Sequence, residues 1–149
     1  MKPITSEQIS RISQSRLIGP ENVLIDDIIT DSRQYNLNHR KAFAALKGIR
    51  HNGHDYVEEL YKKGLRCFII SEYRAPFKFL DEAAFIVCRN TLDALQTIGK
   101  YVGNKFKGAI IGITGSNGKT SVKEWLFHLM KDRREIIRSP KSYNSQIGV

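Results

Sequence analysis

Apolar and polar positions along this chain follow two rhythms in turn, one helical and one strand-like. From Ser6 to Leu17, the apolar residues Ile9, Ile12 and Leu17 share one side of a 3.6-residue period, which predicts an amphipathic helix. Thr5 followed by Gln8 has the spacing of a capping box at its start. "NVLIDDIITDSR", residues 22–33, predicts strand material ending in a polar turn, and "AFAALKG", residues 42–48, a short strand closed by Gly48. "HDYVEELYKKG", residues 54–64, predicts a helix with Val57, Leu60 and Tyr61 on one face and Gly64 where a C-cap belongs. "RCFIIS" and "AFIVC" are short unbroken apolar runs, the pattern of strands covered on both faces of a mostly parallel sheet. "TLDALQTIGKYVG", residues 91–103, predicts a helix with Leu92, Leu95, Ile98 and Val102 turned inward.

This alternation predicts an α/β fold with a compact sheet. The polar, glycine-flanked stretch "GNKFKG", residues 103–108, is expected to be a linker, dividing the chain into domains 1–105 and 106–149. Beyond it, "AIIGIT" predicts a strand, Lys119 to Lys131 a helix and "EIIRS" another strand. In that helix Val122, Trp125, Leu126, Leu129 and Met130 follow i, i+3, i+4, i+7, i+8. One βαβ unit of about 40 residues cannot bury a core alone, so the second domain is expected to be truncated.

Composition narrows the class. A hydrophobic fraction of 41% in 149 residues supports a real core, and 26% charged residues is ordinary for a globular protein. No apolar run approaches the ~20 residues of a membrane-spanning helix, and with one early Lys but no continuous apolar block after it, no secretory signal is expected. Cys67 and Cys88 sit in apolar runs without metal-binding spacing, as expected for buried thiols in a reducing, cytoplasmic setting. The net charge of +9 raises nucleic-acid binding. The basic residues are dispersed, however, and "FAALKG" and "RCFIIS" do not interleave aromatics with Lys and Arg, so no nucleic-acid partner is expected.

"GITGSNGKTSVKEW", residues 112–125, carries the chemistry. The common phosphate-loop spacing asks for glycine at position 113, which is Ile113. The context is nonetheless that of a phosphate loop, a glycine-rich turn between an apolar run and an amphipathic helix. Backbone N–H groups of Gly115, Ser116, Asn117 and Gly118 can cradle an anion, aided by the helix N-terminus. Lys119 can neutralise β- and γ-phosphate oxygens, and the Thr120 hydroxyl can ligate Mg²⁺.

Here the sequence resembles a family. "GITGSNGKT" looks like the ATP loop of the Mur ligases, whose first glycine is shifted in the same way. "TDSRQYNLNHRKAFAALKGIRHNGHDYVEELYKKG" resembles their N-terminal UDP-sugar domain, and "KSYNSQIGV" the segment after their first βαβ unit. Lys123-Glu124 and "SYNSQIGV" resemble the branch that adds D-alanyl-D-alanine, with the branch adding the third amino acid as the alternative. "NLNHRKAF" lacks the usual Pro-Gly, Asn52 stands where Asp is usual, and Ser145 follows Asn144 where a second Asn is common. "ELYKKGLRCFII" resembles members fused to an alanine racemase.

The resemblance implies a small α/β UDP-sugar domain followed by the start of a P-loop-type α/β ATP-binding domain. It implies an ATP- and Mg²⁺-dependent amide ligase joining UDP-N-acetylmuramoyl-tripeptide to D-Ala-D-Ala through an acyl phosphate. Lys119 would be catalytic. Asp31, Ser32, Arg33, Lys47, Gly48, Asn52, Gly53, His54 and Asn144 would meet the UDP-sugar. Read from residues alone, Asp31–Arg33 could equally be an Asx-type turn with a surface Arg, and His54 a helix-start residue bonded to backbone. A non-catalytic nucleotide-sugar-binding module is the alternative from another class, and a folylpolyglutamate-synthase-like ligase is disfavoured by the D-S-R and G-H-D segments.

Overall fold

The computed structural model describes residues 3–36, 40–49 and 51–139. The chain falls into two compact units, Met1–Lys105 and Phe106–Val149.

The first unit is a mixed α/β layer structure. Its elements are β1 (Ile4–Thr5), α1 (Ser6–Ile12), β2 (Arg16–Ile18), β3 (Leu24–Ile25), β4 (Asp27–Ile29), β5 (Lys41–Ala44), α2 (Val57–Lys62), β6 (Cys67–Ile70), β7 (Ala84–Val87) and α3 (Thr91–Lys105). Short 3-10 turns cover Ser32–Gln34, Gly53–Tyr56 and Ala75–Phe79. Five strands form one sheet in the order β2-β7-β6-β5-β4; β1 and β3 pair separately. Within the large sheet β4, β5, β6 and β7 are mutually parallel, and only β2 runs antiparallel, against β7.

The unbroken apolar runs have the expected cause. All four residues of β6 are buried, and side-chain alternation sends Phe68 and Ile70 to one face, Cys67 and Ile69 to the other. On the first face Phe43, Phe68 and Phe85 pack with Val57 and Leu60 of α2 and with Phe77. Phe85 lies between Phe68 and Phe77, stacked on each at 5.5 Å between centroids, and Tyr73 meets it edge-on at the same distance. On the second face small residues, Ala42, Ala44, Cys67 and Ala84, leave room for Ile9 of α1 and Ala94 and Ile98 of α3. Burial pushes the Cys67 thiol up to about 12, and the half-buried Cys88 is raised for the same reason, so both stay protonated.

Several boundaries differ from the sequence expectation. The Thr5–Gln8 capping box forms with both bonds, but α1 stops at Ile12 and Leu17 belongs to β2. Ser10 Oγ donates to Ser15 O, Ser13 Oγ donates to Ile9 O, and Gln14 takes a φ of 51°, together turning the chain back. α3 runs on to Lys105, so Gly103, Asn104 and Lys105 are helical rather than part of a linker. Its buried stripe is Thr91, Ala94 and Ile98, while Leu92, Leu95 and Val102 are half-buried.

In the second unit, α4 (Lys119–Met130) is the one regular element among the described residues. The strands expected at 109–114 and 135–139 do not form there. A strand exists through its ladder, and among the described residues neither segment has a partner; Ile110, Ile111 and Ile137 are largely exposed. The expected apolar stripe of α4 is likewise open, with Trp125 and Leu129 68% and 75% exposed. The segment 135–139 is tied to α4 by polar bonds instead: Lys123 Nζ donates to Ser139 O at 2.8 Å, Arg138 pairs with Glu124, and the Arg138 guanidinium lies 4.1 Å from the Phe127 ring centre.

Candidate functional site

Parallel strands β4, β5 and β6 are neighbours, so their C-terminal ends open on one edge of the sheet. The three exits are the turn after Ile29, the loop after Ala44 and the segment after Ile70. In open α/β sheets this edge is where ligands bind. Nearly every residue expected to meet the UDP-sugar lies there.

At the β4 exit, Asp31 Oδ1 accepts from the Arg33 backbone N–H at 3.0 Å, closing an Asx-type turn into the Ser32–Gln34 3-10 turn. The Arg33 guanidinium folds onto the same carboxylate, donating from Nε at 2.9 Å and Nη2 at 2.7 Å. These bonds hold the Asp31 carboxyl down to about 2 and raise Arg33. The pair is exposed, so it contributes little to stability; its effect is to order Arg33, which keeps N–H donors in excess of those used. The Asx turn read from the tripeptide is therefore present, with the arginine folded onto its own carboxylate.

The β5 exit forms a small loop in which Lys47 and Asn52 pair antiparallel and Gly48 N–H bonds to His51 O at 2.9 Å. Gly53 N–H bonds back to Leu46 O at 2.8 Å. A Cβ on Gly53 would lie 2.7 Å from Leu46 N and 2.8 Å from Ala45 Cα, so only glycine lets the loop close on the strand. Asn52 Oδ1 caps the Gly53–Tyr56 turn by accepting from His54 N–H at 3.1 Å.

His54 is 1% exposed, and the protein uses both ring nitrogens. Nε2 accepts backbone N–H groups of Ser71 at 3.0 Å and Glu72 at 3.1 Å, so Nδ1 carries the proton and donates it to Asn52 Oδ1 at 2.7 Å. Burial lowers its pKa, keeping it neutral. Of its two sequence readings the structure gives the backbone-bonded one, and His54 fastens the β5 loop to the β6 exit. That exit supplies two residues the sequence reading missed, Glu72 and Arg74. Lys47 Nζ donates to Glu72 Oε1 at 2.9 Å, and Arg74 donates to Asp55 Oδ1 at 2.6 Å. Glu72 and Arg74 follow a strand in a segment without a motif; the signal available was the adjacency of β5 and β6, which puts whatever follows β6 beside Lys47.

In the second unit the glycine loop leads directly into α4. Gly115 and Gly118 have φ of +146° and +78°, conformations that L side chains rarely adopt. Gly118 is the N-cap and, having no side chain, offers no side-chain bond to the helix end; Val122 N–H of the first turn donates to Gly118 O at 2.9 Å. Lys119 folds back over the loop, donating from Nζ to Gly115 O at 2.5 Å with Ser116 O at 3.4 Å. Ser116 and Asn117 form the bend between the glycines, and Thr120 follows Lys119 in the first turn. A helix N-terminus, positive-φ glycines and an ammonium on one loop suit a phosphate chain. Among the described residues no group of three or more His, Cys, Asp or Glu could hold a metal ion. Asn144 and the rest of "KSYNSQIGV" lie outside the described residues.

No family model matches the chain. It is 29% identical over 153 residues to the UDP-N-acetylmuramoyl-tripeptide–D-alanyl-D-alanine ligase of Haemophilus influenzae, with all of this chain aligned to 32% of that one. With the ligase of the same name from Treponema pallidum it shares 36% over 117 residues, 74% of this chain and 26% of that one. Among solved structures, MurF from Acinetobacter baumannii superposes with a TM-score of 0.84 at 28% identity over 99% of this chain and 32% of the other. MurF from Thermotoga maritima in complex with ADP gives 0.66 at 28% identity over 82% of this chain and 27% of the other. The chain thus spans about a third of the length of the curated relatives it matches. Among the described residues no helix is long and apolar enough to cross a membrane.

Proposed function

We propose that this chain, which is related along its whole length to the Mur ligases, forms the UDP-sugar-binding and ATP-loop portion of a cytoplasmic ligase joining D-Ala-D-Ala to UDP-N-acetylmuramoyl-tripeptide. The observation that carries the proposal is the loop from Gly115 to Gly118, with its two positive-φ glycines opening α4 and Lys119 folded across it. The names of the relatives, and the ADP in one of the related structures, agree with it.

The division of labour follows from the two units. At the sheet edge, Asp31 and Ser32 shape the turn that aims Arg33, whose planar fork suits a diphosphate. Lys47 adds a point charge, and Gly48, Asn52, Gly53 and His54 set the loop that brings it there. At the second site, Gly115, Ser116, Asn117 and Gly118 surround the ATP phosphates with backbone N–H groups, and Lys119 leaves the loop carbonyls for the β/γ-phosphate oxygens. ATP supplies a phosphoryl group that turns the poor leaving oxygen of the tripeptide carboxylate into a good one, after which the D-Ala-D-Ala amine displaces phosphate. Lys119 spreads the charge that develops as the phosphoryl group departs. Thr120, through its hydroxyl, would be the residue here to hold Mg²⁺, which would neutralise phosphate charge when bound. Asn144 would contact the sugar-peptide.

The test is a chimera in which these 149 residues replace the matching part of the Haemophilus influenzae ligase. Phosphate release that requires ATP, UDP-N-acetylmuramoyl-tripeptide and D-Ala-D-Ala together is expected. A folded chimera whose phosphate release ignores D-Ala-D-Ala, or that accepts only a single amino acid, would reject the assignment.

A further inference from the structure

Glu72 stands at the centre of a chain of charges that alternate in sign across the sheet edge. Its Oε1 accepts from Lys47 Nζ at 2.9 Å and its Oε2 from Arg74 Nη2 at 3.3 Å, while Arg74 Nη1 donates to Asp55 Oδ1 at 2.6 Å. The four side chains come from three segments: the β5 exit, the Gly53–Tyr56 turn and the β6 exit. The backbone under Glu72 is itself held, because Ser71 and Glu72 both donate their N–H groups to the buried His54 Nε2. Glu72 is thus fixed by His54 at its backbone and by Arg74 at its carboxylate. Lys47 is the most exposed of the four, its side chain 66% accessible.

We propose that Glu72 is a positioning residue of the UDP-sugar site, holding the Lys47 ammonium between the β5 and β6 exits where it can meet a diphosphate. The inference rests on the UDP-sugar reading above. A free lysine side chain has four rotatable bonds in its stem, and ordering it on binding lowers affinity. Glu72 does that ordering beforehand. The ammonium has three N–H donors; Glu72 takes one, which leaves two for phosphate oxygens. An anionic carboxylate beside a diphosphate would ordinarily repel it. Here Lys47 covers one oxygen and Arg74 the other, so the carboxylate presents no unpaired charge. The hydrogen bond from Lys47, then that from Arg74, holds the Glu72 carboxyl below the usual carboxylate range, so the arrangement persists at neutral pH.

The experiment is calorimetry of the 149-residue chain with two probes, UDP and the uncharged nucleoside uridine. The variants are Glu72→Gln, which keeps the shape and removes the charge, Glu72→Asp, Lys47→Ala and the Glu72→Gln/Lys47→Ala pair. Glu72→Gln is expected to weaken UDP roughly fivefold to twentyfold, within the range of coupled contacts, and to leave uridine affinity unchanged. The double variant should bind UDP no more than about twofold worse than Lys47→Ala, since Glu72 acts through Lys47. Glu72→Asp, which keeps the charge with a shorter reach, should fall between the parent and Glu72→Gln. Equal or tighter UDP binding by Glu72→Gln would overturn the proposal and mean that Glu72 sequesters Lys47. Losses that simply add, uridine affinity falling by the same factor as UDP, or Glu72→Asp binding worse than Glu72→Gln would each overturn it as well. If the unsubstituted chain binds uridine but not UDP, or neither, the UDP-sugar reading itself fails and the inference with it.

Discussion

Replacing Gly53 by alanine adds one methyl group at the point where the β5 loop closes on its strand. That Cβ would lie 2.7 Å from Leu46 N, 2.8 Å from Ala45 Cα and 2.9 Å from Ala45 C, all of them backbone atoms that cannot swing aside. The contacts are roughly half an ångström inside ordinary van der Waals approach, on the steep part of the repulsive wall. Relief requires the Gly53–Tyr56 turn to move off β5. Forced overpacking of this kind costs about 1–3 kcal/mol, and stretching the 2.8 Å bond from Gly53 N–H to Leu46 O adds about 1 kcal/mol. The neighbouring His54 would then pull away from the N–H groups of Ser71 and Glu72. A total of about 2–4 kcal/mol, in a unit of this size, corresponds to a melting point lower by about 10–25 °C. The assay is thermal unfolding by circular dichroism, with UDP affinity measured at low temperature where the variant is still folded. Both should fall. A melting point within about 2 °C of the parent, with unchanged UDP affinity, would refute the claim that Gly53 closure sets the loop.

Three further outcomes are expected. The folded His54 pKa lies below its usual 6.5, so the unfolded chain takes up that proton first; stability from His54 is full above about pH 6.5 and declines as pH falls toward the lower folded value, by at most about 1.4 kcal/mol per pH unit. Urea unfolding from pH 8 to 5 should show this decline and His54→Gln should flatten it; an unflattened slope would assign the titration elsewhere. In the chimera, Lys119→Ala should lower turnover about 10²–10³-fold while leaving UDP-sugar affinity intact, and steady-state kinetics showing near-normal turnover at saturating ATP would remove Lys119 from the phosphates. Gly118→Val places a β-branched residue at a φ of +78°, a conformation costing about 1–2 kcal/mol for ordinary L residues, and should weaken a fluorescent ADP analogue with little effect on UDP; equal binding of ADP would mean the loop can be built without that conformation.

What could be read from the sequence divides along physical lines. The parallel strands were legible because Cys67–Ile70 and Ala84–Val87 are apolar on both faces, a pattern that only a doubly covered sheet satisfies. The start of α1 was legible because a cap is a local bond between Thr5 and Gln8. Its end was not, since the reversal is made by serine hydroxyls and a positive-φ Gln14 with no glycine or proline to mark it. The strands expected at 109–114 and 135–139 have sound local patterns, but a ladder needs a neighbour, and a residue string does not say where one is. The D-S-R and G-H-D segments both fall at the edge where β4 and β5 end. They could not show that Arg33 lies on Asp31, that His54 is turned inward, or that Glu72 reaches Lys47 across 25 positions of sequence.

Nuclear magnetic resonance titration of the ¹⁵N-labelled chain with two ligands tests the central claim most directly, because each ligand is assigned to a different unit. UDP, the nucleotide part of the UDP-sugar, should shift amides in the turn after Ile29, in the loop from Lys47 to His54 and at Ser71–Arg74, and leave Gly115–Thr120 in place. MgATP should shift Gly115–Thr120 and leave the sheet edge in place. Shifts from UDP at the opposite edge of the sheet, or from both ligands on the same residues, would contradict the assignment of one phosphate site to each unit.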